Sequence, residues 1–154
     1  MAEPKVILVL GAGRSSSSLI AHLLEQAGTE GWQIQVGDVN LEAALGKLQG
    51  HPCGTAFALS ATDNAERNKR IAAADVVMSM LPAFMHVEVA KTAIEAGVNV
   101  ITPSYVSPEM RGLDAAAREA GVLVLNELGL DPGIDHMSAM QAIDHIREQG
   151  GRLT

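Results

Sequence analysis

The chain has 154 residues, 47% hydrophobic but only 3% aromatic, with 18 acidic against 11 basic residues and a formal net charge of −7. Such a length suits one domain with an aliphatic, alanine-rich core. The scattered charges, without a basic run, exclude nucleic acid as an expected partner. No membrane is expected either, because the longest apolar stretches, such as Val76 to Phe84, are too short to span a bilayer.

Met1 to Lys5 lacks the basic start of an export signal, and lone Cys53 has no internal disulfide partner. A reducing cytoplasm is therefore the expected location. Lys5 to Leu10 is a β-branched apolar run ending in Gly11, as in a strand buried on both faces. Ser15 to Ala27 places Leu19, Ile20, Leu23 and Leu24 on one helical face, with Gly28 as the expected stop. Strands are then expected at Gln33 to Gly37, Thr55 to Leu59, Asp75 to Met80, Val98 to Thr102 and Val122 to Leu125. Helices alternate with them: Leu41 to Leu48 capped by Asn40, Asn64 to Ala73 capped by Asp63 or Thr62, and Met85 to Ala96 stopped by Gly97. Pro108 to Ala120, between Ser107 and Gly121, and Ile134 to Gln149 complete the pattern. Strand–helix alternation with short connections means an open, doubly wound parallel α/β sheet, a Rossmann-like dinucleotide-binding domain over residues 1–154. Gly150 and Gly151 read as a helix stop and Arg152 to Thr154 as a strand start, as expected of a piece cut at a domain edge.

Gly11-Ala12-Gly13-Arg14-Ser15-Ser16 lies between the first strand and the first helix. Gly11 permits the tight turn, Gly13 lets backbone approach a pyrophosphate, and the helix N-terminus faces the anion. Ser16 stands where a third glycine is usual and is small enough for close packing. Ser15, Ser16 and Ser17 offer hydroxyls, and Arg14 offers charge. Asp38 ends the second strand, where a carboxylate accepts from ribose hydroxyls and repels a 2′-phosphate. Val39 and Asn40 follow without a cation, which favours NAD, with NADP as the alternative cofactor. Asp38 or Asn40 can also serve simply as a helix cap.

Ligands in such sheets bind beyond the carboxyl ends of the strands. Those ends carry Ser60-Ala61, Leu81-Pro82, Pro103-Ser104-Tyr105 and Asn126-Glu127. Apolar Leu81-Pro82 suits the nicotinamide side. Tyr105 is the sole tyrosine, a candidate donor to substrate or proton carrier, or a packing residue. In Glu127 to His136 (ELGLDPGIDH), Asp131 is a candidate partner for a substrate ammonium. Asp135 reads as tuning the helix start. His136 suits either a structural or a general-base role. These acids and His136 are not at a metal-ligand spacing, so no metal is expected. His51 and Cys53 show nothing catalytic.

Ile101 to Pro108 (ITPSYVSP) with Asn126 to Met137 (NELGLDPGIDHM), and Val76 to Pro82 (VVMSMLP), resemble the saccharopine dehydrogenase/reductase family of lysine metabolism. The resemblance runs from the first strand to the chain's end. It implies hydride transfer between a nicotinamide and the C–N bond joining the glutamate nitrogen to the aminoadipate semialdehyde portion of saccharopine. It also implies Ser104, Tyr105 and Asp131 as substrate contacts, with Tyr105 or Asp131 as candidates for the proton chemistry. Gly13, Arg14, Ser15, Asp38, Leu81 and Leu130 would line the cofactor. Together with the strand-end reading, the expected cofactor contacts are Gly11, Gly13, Arg14, Ser15, Ser16, Asp38, Val39, Ser60, Ala61, Leu81, Pro82 and Leu130. Family members carry a further substrate and dimerisation domain, so a homodimer is implied for the complete protein and inactivity for this piece. Members that use NADP tend to have a basic residue where Val39 stands. Two other readings remain: a carboxynorspermidine dehydrogenase-type enzyme of polyamine synthesis, and a non-catalytic NAD-binding regulator.

Overall fold

The structure is a computed structural model that describes residues 3–60 and 62–152. Strand β1 (Lys5–Leu10) is central. Side chains alternate across a strand, so Ile7 and Val9 enter one core while Leu8 and Leu10 enter another on the opposite face. That two-sided burial explains why β1 reads as an unbroken apolar run rather than an alternating one. Each fully buried Leu or Ile here is worth about 1.5–3 kcal/mol in transfer energy.

The other strands are β2 (Trp32–Asp38), β3 (Gly54–Ala58), β4 (Val76–Ser79), β5 (Asn99–Ile101) and β6 (Val124–Leu125). All pairs are parallel, in the order β3-β2-β1-β4-β5-β6. The chain therefore works outward from β1 to β3, then returns to place β4 on the other side of β1. That reversal leaves a crevice beyond the ends of β1 and β4, where doubly wound sheets bind ligands.

Helices α1 (Ser17–Glu30) and α2 (Leu41–Leu48) cover the Ile7/Val9 face with Ile20, Leu24, Ala27, Ala44 and Leu48. The opposite face is covered by α3 (Asn64–Ala72), α4 (His86–Ala96) and α5 (Pro108–Arg111), through Ile71, Val89, Ala93 and Met110. A satellite cluster joins Ile94 of α4 to Ala117 of α6 (Asp114–Ala120) and to Val122. The last helix, α7 (Ile134–Glu148), buries none of its residues.

Two boundaries differ from expectation for physical reasons. Gly28 does not stop α1. The helix runs on to Glu30 and ends at Gly31, whose φ of 68° supplies the left-handed cap. A glycine inside a helix costs only about 1 kcal/mol relative to alanine, and buried Leu24 and Ala27 hold this turn. The single helix expected over 108–120 is two, α5 and α6, separated at Gly112 and Leu113. Among caps, Asn40 Oδ1 accepts from the Ala43 amide and Asp63, rather than Thr62, caps α3.

Candidate functional site

At the end of β1 the two glycines differ. Gly11 has φ of +102°, and a Cβ there would lie 2.8 Å from the Met80 carbonyl oxygen. Its amide donates to the Gly37 carbonyl at 2.8 Å. The fold itself demands Gly11. Gly13 has φ of −65° and no atom within 4 Å of a built Cβ, so nothing in the protein requires a glycine there. Its missing side chain opens a cradle instead. No side chain caps the short 3-10 turn Arg14–Ser16 or the start of α1. The Ser16 and Ser17 amides are taken by the Gly13 and Arg14 carbonyls, which leaves the amides of Gly13 to Ser15, above the open glycine, to suit a pyrophosphate.

The serines divide. Ser16 is fully buried, and its hydroxyl donates to the Gly13 carbonyl at 2.9 Å. It serves the close packing expected of a third glycine, with its hydroxyl turned to the Gly13 carbonyl in the ligand-free fold. The Ser17 hydroxyl donates to the Arg14 carbonyl and also meets Lys47 Nζ. Arg14 and Ser15 are exposed at the turn.

The Asp38 carboxylate is held by two backbone amides. One carboxylate oxygen accepts from the Ala12 amide at 2.6 Å, the other from the Asn40 amide at 2.8 Å. The carboxylate thus braces the glycine turn against the end of β2, and its remaining lone pairs face a groove of about 360 Å³. Gly11, Gly13, Val39, Ser60, Leu81 and Pro82 line the same groove. Val39 is 75% exposed at its rim. Arg67 of α3, which sequence reasoning did not single out, also lines it. Leu130 is 73% exposed, next to Asp131 and outside the lining of this groove. Ala61 lies outside the described residues.

A second cleft, of about 420 Å³, lies beyond the ends of β4 and β5 and holds Ser104, Tyr105, Asn126 and Asp131. The Glu127 amide donates to the Ser104 carbonyl at 3.1 Å and the Val106 amide to Glu127 Oε1 at 3.2 Å. These bonds tie the 103–106 loop to the 126–131 segment. The segment is folded tightly: Gly133 has φ of +144°, and a Cβ there would lie 2.2 Å from the Gly129 carbonyl oxygen. The Tyr105 phenol donates to Asp131 Oδ1 at 2.5 Å. That bond, with burial and the acidic surroundings, pushes the phenol up to about 12. The phenol is thus held protonated, as the donor to Asp131 Oδ1.

The Tyr105 ring meets His136 edge-on at 6.4 Å. Folding also brings Asp131, Asp135 and His136 within 4.8 Å of one another, all exposed, a proximity their spacing in the chain did not suggest. His136 Nδ1 pairs with Asp135 Oδ1 at 2.9 Å, and Asp135 accepts from the Gly133 amide. The cleft also has a buried histidine that the sequence reading passed over. His86 Nδ1 lies 2.8 Å from Ser79 Oγ and Nε2 lies 2.8 Å from Ser104 Oγ. Burial pushes its pKa down. No helix of the described residues is long and apolar enough to cross a membrane.

Known proteins match this chain along most of its length. Residues 7–125 match the family described as the saccharopine dehydrogenase NADP binding domain. The chain is 37% identical over 149 residues to the saccharopine dehydrogenase (NADP(+), L-glutamate-forming) of Pyricularia oryzae, covering 97% of this chain and 32% of that protein. It is 38% identical over 157 residues to the mitochondrial alpha-aminoadipic semialdehyde synthase of Bos taurus, covering 99% and 16%. Among solved structures it matches apo saccharopine dehydrogenase (L-Glu forming) from Saccharomyces cerevisiae with a TM-score of 0.82 and 36% identity, covering 97% of this chain and 33% of that one. A 3-ketoreductase from Actinomadura kijaniata, 19% identical with a TM-score of 0.66, shares the fold alone. The chain spans about a third of the length of the fungal relatives it matches. On its fold, its two strand-end clefts and these matches, the chain belongs to the saccharopine dehydrogenase family, over that family's NADP binding domain.

Proposed function

We propose that this chain is the dinucleotide-binding domain of an oxidoreductase that acts on the C–N bond of saccharopine in lysine metabolism. The supporting observation is that one wall separates two adjoining clefts. Leu81, Pro82 and Met85 border the groove at Gly13 and Asp38, while Ala83, His86 and Val87 border the cleft at Ser104, Tyr105 and Asp131. A dinucleotide in the first groove places its reactive end at that wall, beside a substrate in the second. When bound, the nicotinamide supplies the hydride acceptor or donor. The chain's own residues do the rest: Asp131 accepts from a substrate nitrogen, the Tyr105 phenol holds that carboxylate in place, and Ser104 contacts the substrate's polar end. Gly13 and the start of α1 hold the pyrophosphate.

For the cofactor we favour NAD. The Asp38 carboxylate accepts from ribose hydroxyls and repels a 2′-phosphate, and exposed Val39 offers it no charge. NADP is the second reading, favoured by Arg67 in the same groove, by the family's NADP binding domain and by its NADP(+)-dependent fungal members. A homodimer in the cytoplasm belongs to the same proposal for the complete protein, on resemblance alone. The test is reduction of NAD and NADP by saccharopine, followed at 340 nm with the complete protein. Saccharopine-dependent reduction, faster with NAD, is expected. Turnover of carboxynorspermidine but not saccharopine overturns the substrate, and preference for NADP overturns the cofactor.

A further inference from the structure

The Ser79–His86–Ser104 chain has a direction, and the direction selects a ligand. Ser79 ends β4 and is fully buried, and among the described residues its hydroxyl has one partner, His86 Nδ1. His86, at the start of α4, is 3% exposed and meets Ser104 through Nε2. Ser104 is half-buried and lines the cleft, its backbone fixed by its amide donating to Thr102 Oγ1 at 3.3 Å.

A neutral imidazole has one N–H and one acceptor nitrogen. With the proton on Nδ1, the ring donates to Ser79, and the Ser79 hydroxyl proton is left buried without an acceptor. Ser104 then donates inward to Nε2 and shows the cleft only lone pairs. With the proton on Nε2, Ser79 donates to Nδ1, Nε2–H donates to Ser104 Oγ, and the Ser104 hydroxyl proton is left for the cleft. An orphaned buried donor is the costlier fault, so the second arrangement is favoured, on the order of tenfold or more. Successive bonds in such a chain polarise one another and strengthen the outermost donor.

We propose that His86 is a positioning residue that turns the Ser104 hydroxyl into a dedicated donor for a carboxylate in the cleft. The ligand class rests on the amino-acid substrate proposed above. Ser104 would take the carboxylate of an amino-acid head group, while Asp131, an acceptor in the same cleft, takes its ammonium. The bipolar arrangement disfavours a diamine at Ser104, whose hydroxyl proton faces the cleft and which keeps only one lone pair, so its cations engage Asp131 alone; a dicarboxylate engages only the Ser104 end.

The test is nuclear magnetic resonance on the 154-residue chain. Nitrogen-15 shifts of His86 at neutral pH report the tautomer without any ligand. Nε2–H is expected, and Nδ1–H overturns the proposal. Titration with glutarate should move the Ser104 amide and the His86 ring, and 1,5-diaminopentane should leave both unmoved. Signals unmoved by glutarate, or moved by the diamine, overturn it. His86→Leu should weaken the glutarate response at least fivefold, and His86→Gln, whose amide reaches Ser104 as a donor, should restore it. An unchanged response in His86→Leu refutes the positioning role. If that variant fails to fold, the tautomer in the unsubstituted chain still decides. Glutarate binding at Ser104 without saccharopine binding would sink the substrate reading while leaving His86 in this role.

Discussion

Alanine at Gly11 and alanine at Gly13 should fail in opposite ways, although the two positions are one residue apart. At Gly11 the added Cβ meets backbone, 2.8 Å from the Met80 oxygen and 3.1 Å from its carbon, at φ of +102°. Backbone of β1 and β4 cannot swing aside as a side-chain tip would. The unfavourable φ costs about 1–3 kcal/mol and the overlap about 1–3 kcal/mol more. For a domain of this size the melting temperature should fall by roughly 5–20 °C. At Gly13 the Cβ enters empty space at an ordinary φ. Stability there should hold, or rise by about 0.4–1 kcal/mol through the unfolded state. The same methyl fills the pyrophosphate cradle, so cofactor affinity should drop at least about tenfold, or about 1.4 kcal/mol. Thermal unfolding by circular dichroism and calorimetric titration with NAD read the two effects separately. Undiminished NAD affinity in Gly13→Ala would refute the cradle, and an unchanged melting temperature in Gly11→Ala would refute the steric reasoning.

Removal of Asp38 by substitution with alanine strips the acceptor from the buried Ala12 amide. It should cost about 1–3 kcal/mol in urea unfolding and narrow the NAD/NADP difference; no loss of stability contradicts the bracing role. The single tyrosine makes the Tyr105–Asp131 bond directly visible. Ultraviolet titration should place tyrosinate formation at about 12, Asp131→Asn should return it toward the ordinary phenol range, and a normal titration in the unsubstituted chain would refute the bond. At the other end of the sheet, Asp75 accepts from Lys5 Nζ at 2.7 Å and from the Val6 amide at 2.8 Å, and the Lys5 bond above all lowers its pKa. Its contribution is complete above the ordinary carboxylate value and lost as pH falls through the lowered folded value. Lys5 is raised by the same bond, so its contribution is complete below the ordinary lysine value and lost as pH rises through the raised one. Asp75→Asn should flatten both limbs of the stability–pH curve, and an unchanged curve contradicts the pairing.

The parallel sheet and its glycine turn were legible because they rest on local signals. The apolar run of Lys5 to Leu10 requires burial on both faces, and Gly11 and Gly13 follow directly before a helix. Asn40, Ser107 and Gly121 marked helix ends through chemistry confined to a few residues. The errors came where tertiary packing overrode a local signal, as at Gly28, which lies inside a helix held by Leu24 and Ala27. Ser104, Tyr105 and Asp131 were visible as polar residues past strand ends. Their joining was not, since Tyr105 and Asp131 are 26 positions apart. His86 was hidden for the same reason. A lone histidine at a helix start carries no signal until β4 and β5 set Ser79 and Ser104 on either side of its ring. Asp131, Asp135 and His136 converge only because the glycine turn at Gly129–Gly133 doubles the backbone over.

Binding of a dinucleotide to the 154-residue chain itself is the most direct test of whether the Gly13–Asp38 groove is a cofactor site. Titration with NAD, followed residue by residue by amide resonances, should show saturable one-to-one binding. The shifts should be concentrated at Gly13, Arg14, Ser15, Asp38, Val39 and Leu81. No saturable binding of NAD or NADP, or shifts that avoid the Gly13 turn, would contradict the assignment.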